Sequence, residues 1–134
     1  AVKVLAVPAS AWTAGRDPRR IVLAGELLRA DGSLEDSRTH YFAPGRELML
    51  EVPDIRVTAE ETDGGTLLTL HARSLARYVW LSAEAEGVFT DNFFDLVPGI
   101  PKTVAFLARG GPDAFAPGRP GRVEVRSLID FVKS

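Results

Sequence analysis

The polar side chains best placed for chemistry lie in residues 90–99, TDNFFDLVPG, which we call the signature segment. Asp91, Asn92 and Asp95 supply oxygen atoms that could either bind a calcium ion or accept hydrogen bonds from backbone turns. Calcium usually takes six or more oxygen ligands, and the spacing of these three residues does not match a calcium-binding loop. We therefore expect the three side chains to cap turns, and we predict no metal ion and no cofactor here.

Other groupings of reactive side chains are sparse. His40 and His71 are the only histidines and the chain has no cysteine, whereas a zinc site typically needs three or four suitable ligands. We expect both histidines to face solvent on different strands. No serine lies in a nucleophile elbow, and no glycine-rich phosphate loop connects a strand to a helix. The sequence thus predicts a chain with no catalytic residues of its own.

The signature segment also has a clear structural pattern. Phe93 and Phe94 cannot both point to the same side of an extended chain, so one of the two rings must leave the local face. Pro98 and Gly99 suit the two central positions of a type II turn, where proline fixes φ and glycine supplies a positive φ. A strand follows at residues 102–109. We predict an ordered crossing between two strands that carries a buried aromatic side chain.

Three other aromatic residues are weak candidates for contact with a sugar. Trp12 lies alone in a loop-like stretch, where covering an apolar edge is the simpler explanation. Tyr78 and Trp80 share one predicted strand face, as in an aromatic platform. A tryptophan on a central strand of a β-sandwich is commonly part of the core, however. We therefore favour a core position for Trp80 and keep sugar binding as the alternative.

Composition excludes several classes of partner. Sixteen basic and eighteen acidic residues give a net charge of -2, which argues against a nucleic-acid interface. Apolar runs are only a few residues long, whereas a membrane-spanning helix needs about 20. We predict no nucleic-acid partner and no membrane contact. A chain of 134 residues fits one domain, or one domain with part of a neighbour.

Alternating apolar and polar residues predict an all-β fold. Two extended runs, 21–29 and 36–42, flank Asp31-Gly32 and are typical of a β-hairpin. Residues 2–7 predict an edge strand or a connector, residues 8–20 and 110–121 predict loops, and residues 128–134 fit either a helical turn or more strand. The remaining strands are expected at residues 55–60, 68–73, 78–84, 102–109 and 122–127. Their alternation places the following residues on the apolar, inward face: Ile55, Val57, Ala59, Leu68, Leu70, Ala72, Val79, Leu81, Ala83, Val104, Phe106, Ala108, Val123 and Val125. Many short strands with close turn signals favour an antiparallel β-sandwich.

The signature segment resembles a motif of one known family. TDNFFDLVPG is similar to the DN-[YF]-FDL-LPGE motif in the C-terminal immunoglobulin-like domain of glycoside hydrolase family 2 β-mannosidases. ARYVWLSAE, residues 76–84, looks like the strand that precedes this motif. YFAPGREL, residues 41–48, is similar to the family's FF-x-P-x-x-L segment. The resemblance covers residues 38–109, and it departs from the family at Ile100, where a glutamate is usual.

The resemblance implies a non-catalytic accessory domain within a longer retaining β-mannosidase. It implies an immunoglobulin-like sandwich at residues 53–134 and makes residues 1–52 N-terminal strands that could end a preceding β-domain. Its implied partners are other domains of the parent chain, including a catalytic (β/α)8 barrel, and a mannose-containing oligosaccharide remains an option. In that family the acid/base glutamate follows an asparagine, but Phe93 follows the one asparagine here, Asn92.

Three alternatives stay open at this point. The chain could be a carbohydrate-binding module that recruits polysaccharide. It could be the corresponding domain of a related family 2 exo-β-glucosaminidase. It could also be a free-standing immunoglobulin-like interaction domain.

Overall fold

A computed structural model describes residues 8–111 and 114–132 of the chain. The expected strand at residues 2–7 lies outside the described residues. The chain divides into two compact units, Ala1–Met49 and Leu50–Ser134, and each is described by itself below. Among the described residues, no helix is both long enough and apolar enough to cross a membrane.

The first unit is built on a hairpin. β1 (Val22–Leu28) pairs antiparallel with β2 (Leu34–Tyr41), as the Asp-Gly turn predicted. In the turn, the Asp31 carboxylate accepts a hydrogen bond from the Ser33 N–H at 2.8 Å, and Gly32 has a φ of +87°. The hairpin is therefore closed by the aspartate and glycine that the sequence singles out.

The loop predicted for residues 8–20 is wrong in part, because it contains two short helical turns. α1 spans Ala9–Thr13, and a 3-10 turn spans Pro18–Arg20. Asp17 caps the second turn, since its side chain accepts a hydrogen bond from the Arg19 N–H at 3.0 Å. A further 3-10 turn covers Gly45–Glu47. Turns this short carry no helical periodicity that a sequence could reveal.

The second unit is an antiparallel sandwich of two sheets. The larger sheet has the strand order β3–β4–β8–β6, with β9 also paired to β8, and the smaller has the order β10–β5–β7. The strands are β3 Arg56–Thr62, β4 Gly65–His71, β5 Ala76–Ala83, β6 Gly87–Phe89, β7 Phe94–Leu96, β8 Lys102–Gly111, β9 Ala114–Pro117 and β10 Val123–Arg126. The predicted all-β fold, an antiparallel β-sandwich, is confirmed.

The core lies between these two sheets. The larger sheet contributes Leu68, Leu70 and Val104, and the smaller contributes Val79, Leu81 and Leu96, all almost completely buried. The alternation read from the sequence is thus confirmed for β4, β5 and β8. Val123 and Val125 of β10 are partly buried against the same cluster, also as predicted.

Two predictions for the second unit are wrong. β3 was expected to bury one face, but all seven of its residues are exposed, including Val57 and Ala59. The reason is its position at the edge of the sheet, where it pairs only with β4. The loop predicted for residues 110–121 contains strand β9, which pairs with β8.

Close packing explains why glycine follows β9. A Cβ atom at Gly118 would lie 2.5 Å from the Ala108 Cβ, so only glycine fits beside β8 without movement. The Gly118 carbonyl also accepts a hydrogen bond from the Thr66 hydroxyl at 3.0 Å. At the end of the chain, α2 (Ile129–Val132) is a single helical turn, one of the two forms expected there.

Candidate functional site

The signature segment crosses from one sheet of the sandwich to the other. It begins after β6 in the larger sheet, contains β7 of the smaller sheet, and returns to β8 in the larger. Gly99 has a φ of +80°, and the Ile100 N–H donates to the Val97 carbonyl at 3.1 Å. Pro98 and Gly99 therefore occupy the turn that their sequence predicts.

Asn92 binds the backbone of β5 in the manner of a neighbouring strand. Its Oδ1 accepts a hydrogen bond from the Leu81 N–H at 2.8 Å, and its Nδ2 donates to the Leu81 carbonyl at 3.0 Å. Leu81 belongs to the buried core, where an unpaired peptide group would cost about 1–3 kcal/mol. One amide side chain thus satisfies both polar groups of a core residue.

Asp95 binds β5 at a second place, where the strand is irregular. The register between β5 and β7 shifts between Ala76 and Val79, and Tyr78 has a φ of +50°. Asp95 Oδ1 accepts a hydrogen bond from the Tyr78 N–H at 3.0 Å, and Oδ2 lies 3.2 Å from the Arg77 Nε. The carboxylate therefore pairs the backbone at a β-bulge and forms a largely buried ion pair.

Asp91 forms the third polar contact of the segment. Its Oδ2 lies 2.7 Å from the Lys102 Nζ at the start of β8. The hydrogen bond from Lys102 lowers the pKa of Asp91 below its ordinary value, with partial burial opposing the shift. The Lys102 ammonium also lies 5.3 Å from the centre of the Phe94 ring. The side chains of Asp91, Asn92 and Asp95 are thus all engaged by groups of the protein.

The two phenylalanines separate as the sequence requires. Phe94 is partly buried and packs against the core, in register with Val79. Phe93 is 64% exposed, with a φ of +58°, and it stacks on Trp80. The exposed phenylalanine therefore has a rare backbone conformation, and the partly buried one supplies the predicted aromatic contact with the core.

The structure corrects the preferred position of Trp80. Trp80 was expected in the core, but it is 36% exposed, because its neighbours Val79 and Leu81 take the inward positions on β5. Tyr78 is also exposed, and the Arg77 guanidinium carbon lies 4.8 Å from the centre of its ring. Trp12 is exposed on α1 in the first unit. Sugar contact by these residues stays a prediction.

The described residues include no group of three or more histidines, cysteines, aspartates or glutamates close enough to hold a metal ion. His40 on β2 and His71 on β4 are exposed, as expected. The geometry of the signature segment suits fold stabilisation, since its carboxylates face cations and backbone N–H groups. The sequence did not identify the partners Leu81, Arg77 and Lys102, because nothing in the local pattern links residues 11 to 18 positions apart.

Comparison with known proteins adds two findings. Residues 50–131 match the family model Ig_mannosidase, which is described as an Ig-fold domain. The chain is also similar to Beta-mannosidase A of Emericella nidulans, with 34% identity over 115 residues. That match covers 81% of this chain but only 12% of the relative.

The Asp91–Lys102 pair predicts a pH-dependent contribution to stability. Because folding lowers the pKa of Asp91, the contribution is fully present above the ordinary aspartate pKa of about 3.9. This contribution to stability is lost as the pH falls from about 3.9 through the lowered pKa of Asp91. Urea unfolding from pH 7 to pH 3 should show Asp91→Asn less stable than the natural chain by under about 1 kcal/mol at pH 7, with the difference shrinking as the pH falls below about 3.9.

The matched controls are Lys102→Gln and the double variant Asp91→Asn/Lys102→Gln. Since both residues act through one ion pair, the two substitutions together should destabilise by less than the sum of their separate effects. Additive effects, or a difference that does not shrink as the pH falls below about 3.9, would contradict this assignment.

Proposed function

The chain belongs to the mannosidase immunoglobulin-fold family, and on that basis we propose that it is a non-catalytic accessory domain of a longer retaining β-mannosidase. The parent chain hydrolyses terminal β-D-mannose residues and is a member of glycoside hydrolase family 2. The domain itself packs against other domains of the parent, including a catalytic (β/α)8 barrel. A related family 2 exo-β-glucosaminidase is the alternative parent.

The observation that carries the proposal is how the signature segment uses its polar side chains. Asn92 and Asp95 bind the backbone of β5, and Asp91 binds Lys102. A retaining glycosidase needs two carboxyl groups about 5 Å apart across the bond that it cleaves, one as acid/base and one as nucleophile. The signature residues are instead suited to stabilising the fold, since Asn92 and Asp95 pair with β5 and Asp91 links the segment to β8 in the other sheet. We therefore assign the two catalytic glutamates to the barrel.

The extent of the match supports a longer parent. The chain spans about 12% of the length of Beta-mannosidase A, so most of that relative has no counterpart here. A chain with the same organisation would have ample length for a catalytic barrel, which typically takes about 250 residues.

We also propose that the sandwich is a separate domain and that the hairpin ends a preceding β-domain. β1 and β2 pair only with each other among the described strands, and a two-stranded hairpin is at best marginally stable alone. We place the start of the sandwich domain at Leu50, a few residues before Pro53, where the sequence predicted that start. The next residue, Glu51, lies 3.4 Å from the Ser74 hydroxyl, and the Pro53 carbonyl accepts the Arg73 N–H.

Truncation tests this domain boundary. Residues 50–134 alone should unfold cooperatively, with a free energy of unfolding within about 1 kcal/mol of the whole chain, because the core of the sandwich is complete in that part. Residues 1–49 alone should show no cooperative transition by circular dichroism. Loss of cooperative unfolding in 50–134 would contradict the boundary.

Assays with a chromogenic β-mannoside test the accessory role. The full-length parent should release the chromophore, and the 134-residue chain should give no rate above buffer, because the catalytic carboxylates lie on the barrel. A parent that cleaves a β-glucosaminide but not a β-mannoside would favour the alternative enzyme. Hydrolysis by the 134-residue chain would contradict the proposal; a parent with its barrel glutamates replaced by glutamine controls for contaminating activity.

A further inference from the structure

The most distinctive exposed surface of the sandwich is the stacked pair of Trp80 and Phe93. Their ring centres are 6.2 Å apart and their planes differ by only 8°. This is an offset-stacked arrangement, which leaves part of each ring face uncovered. Because Val79 and Leu81 point into the core, Trp80 lies on the outer face of the three-stranded sheet.

Phe93 is held in this position at a cost in backbone energy. Its φ of +58° is strained for a residue with a bulky side chain. The ring recovers little of this by burial, since it is 64% exposed. The hydrogen bonds from Asn92 to Leu81 fix the preceding residue, so the exposed ring is pre-positioned beside Trp80. Such strain at an exposed residue is a common feature of ligand contacts.

Polar side chains continue the same face along β5 and β10. Arg126 lies opposite Trp80 in the register, and Glu124 lies opposite Ser82. Directly opposite residues of an antiparallel pair share one face of the sheet, as do residues two apart on one strand. A shallow cleft of about 320 Å³ lies further along the same two strands and is lined by Ser82, Ala83, Glu84, Arg122 and Glu124. The face thus combines an aromatic platform with hydroxyl, carboxylate and guanidinium groups.

We propose that this face binds a pyranoside. The apolar face of a sugar ring stacks on Phe93 and Trp80, and the sugar hydroxyls bond to Ser82, Glu124 and Arg126. A cleft of this volume lies at the small end of the usual range for small-molecule sites, about 300–1,000 Å³. The site is independent of the accessory role and would stand if the parent were a different enzyme.

The size of the platform favours a sugar over a protein partner. Aromatic side chains bury roughly 150–250 Å² each, so the exposed fractions of the two rings together offer roughly 200 Å². A stable protein interface buries about 800 Å² on each partner. The charged groups beside the rings, Arg126 and Glu124, also reduce the apolar area available to a protein.

The binding test uses the whole chain with Trp12→Phe, which leaves Trp80 as the single tryptophan. Titration with β-1,4-linked mannotriose should give a saturable change in Trp80 fluorescence and a matching calorimetric heat, with a dissociation constant in the millimolar range. Equal binding of cellotriose would also support the pyranoside site and would show that it does not select mannose. Absence of both signals up to tens of millimolar, in the folded protein, would overturn the proposal.

Two further variants locate the site. Phe93→Asn removes the ring but keeps a residue that tolerates a positive φ, so the urea midpoint should not fall and the affinity should drop at least about tenfold. Phe115→Ala, at an exposed phenylalanine on β9, should leave the affinity unchanged. Unchanged affinity in Phe93→Asn would overturn the assignment. The assignment would also be overturned if this face were found to bind the remaining domains of the parent and no sugar.

Discussion

The pairing of the Asn92 amide with the Leu81 peptide group is the contact on which one edge of β5, in the smaller sheet, depends. β7 is only three residues long and matches β5 in register at just two positions, Ala76 and Val79. Beyond Val79, Asn92 takes over by binding both the N–H and the carbonyl of Leu81. Because Leu81 is a core residue, losing this amide would leave two buried polar groups unpaired.

The remaining polar residues of the signature segment extend this role. Asp95 pairs the Tyr78 N–H where β5 bulges, and its ion pair with Arg77 is largely buried. Asp91 links the segment to β8 in the other sheet through Lys102. One short segment therefore supplies the edge pairing of β5, closes its bulge and ties together the two layers. The carboxylates of this segment can therefore be explained by their contribution to the stability of the fold, with no catalytic role.

The sequence predicted the elements that depend on local chemistry. The Asp31-Gly32 hairpin, the turn at Pro98-Gly99 and the inward positions of β4, β5 and β8 all follow from turn residues and period-two alternation. The burial predictions that were wrong concern residues whose burial depends on which strands and sheets pack next to each other. Val57 alternates correctly but lies on an edge strand, and Trp80 is exposed on the face of the smaller sheet that points away from the core. The partners of Asn92 and Asp95 could not be predicted either, because tertiary structure brings them together.

Hydrogen exchange at the Leu81 amide tests the central claim most directly. In the natural chain this amide should be as protected as the core amides of β4, because its bond to Asn92 should break only on global unfolding. In Asn92→Ala, which we expect to be about 2–3 kcal/mol less stable, the Leu81 amide should lose at least about tenfold more protection than those of β4. An equal loss of hydrogen-exchange protection at the Leu81 amide and at the core amides of β4 would contradict a specific role for Asn92.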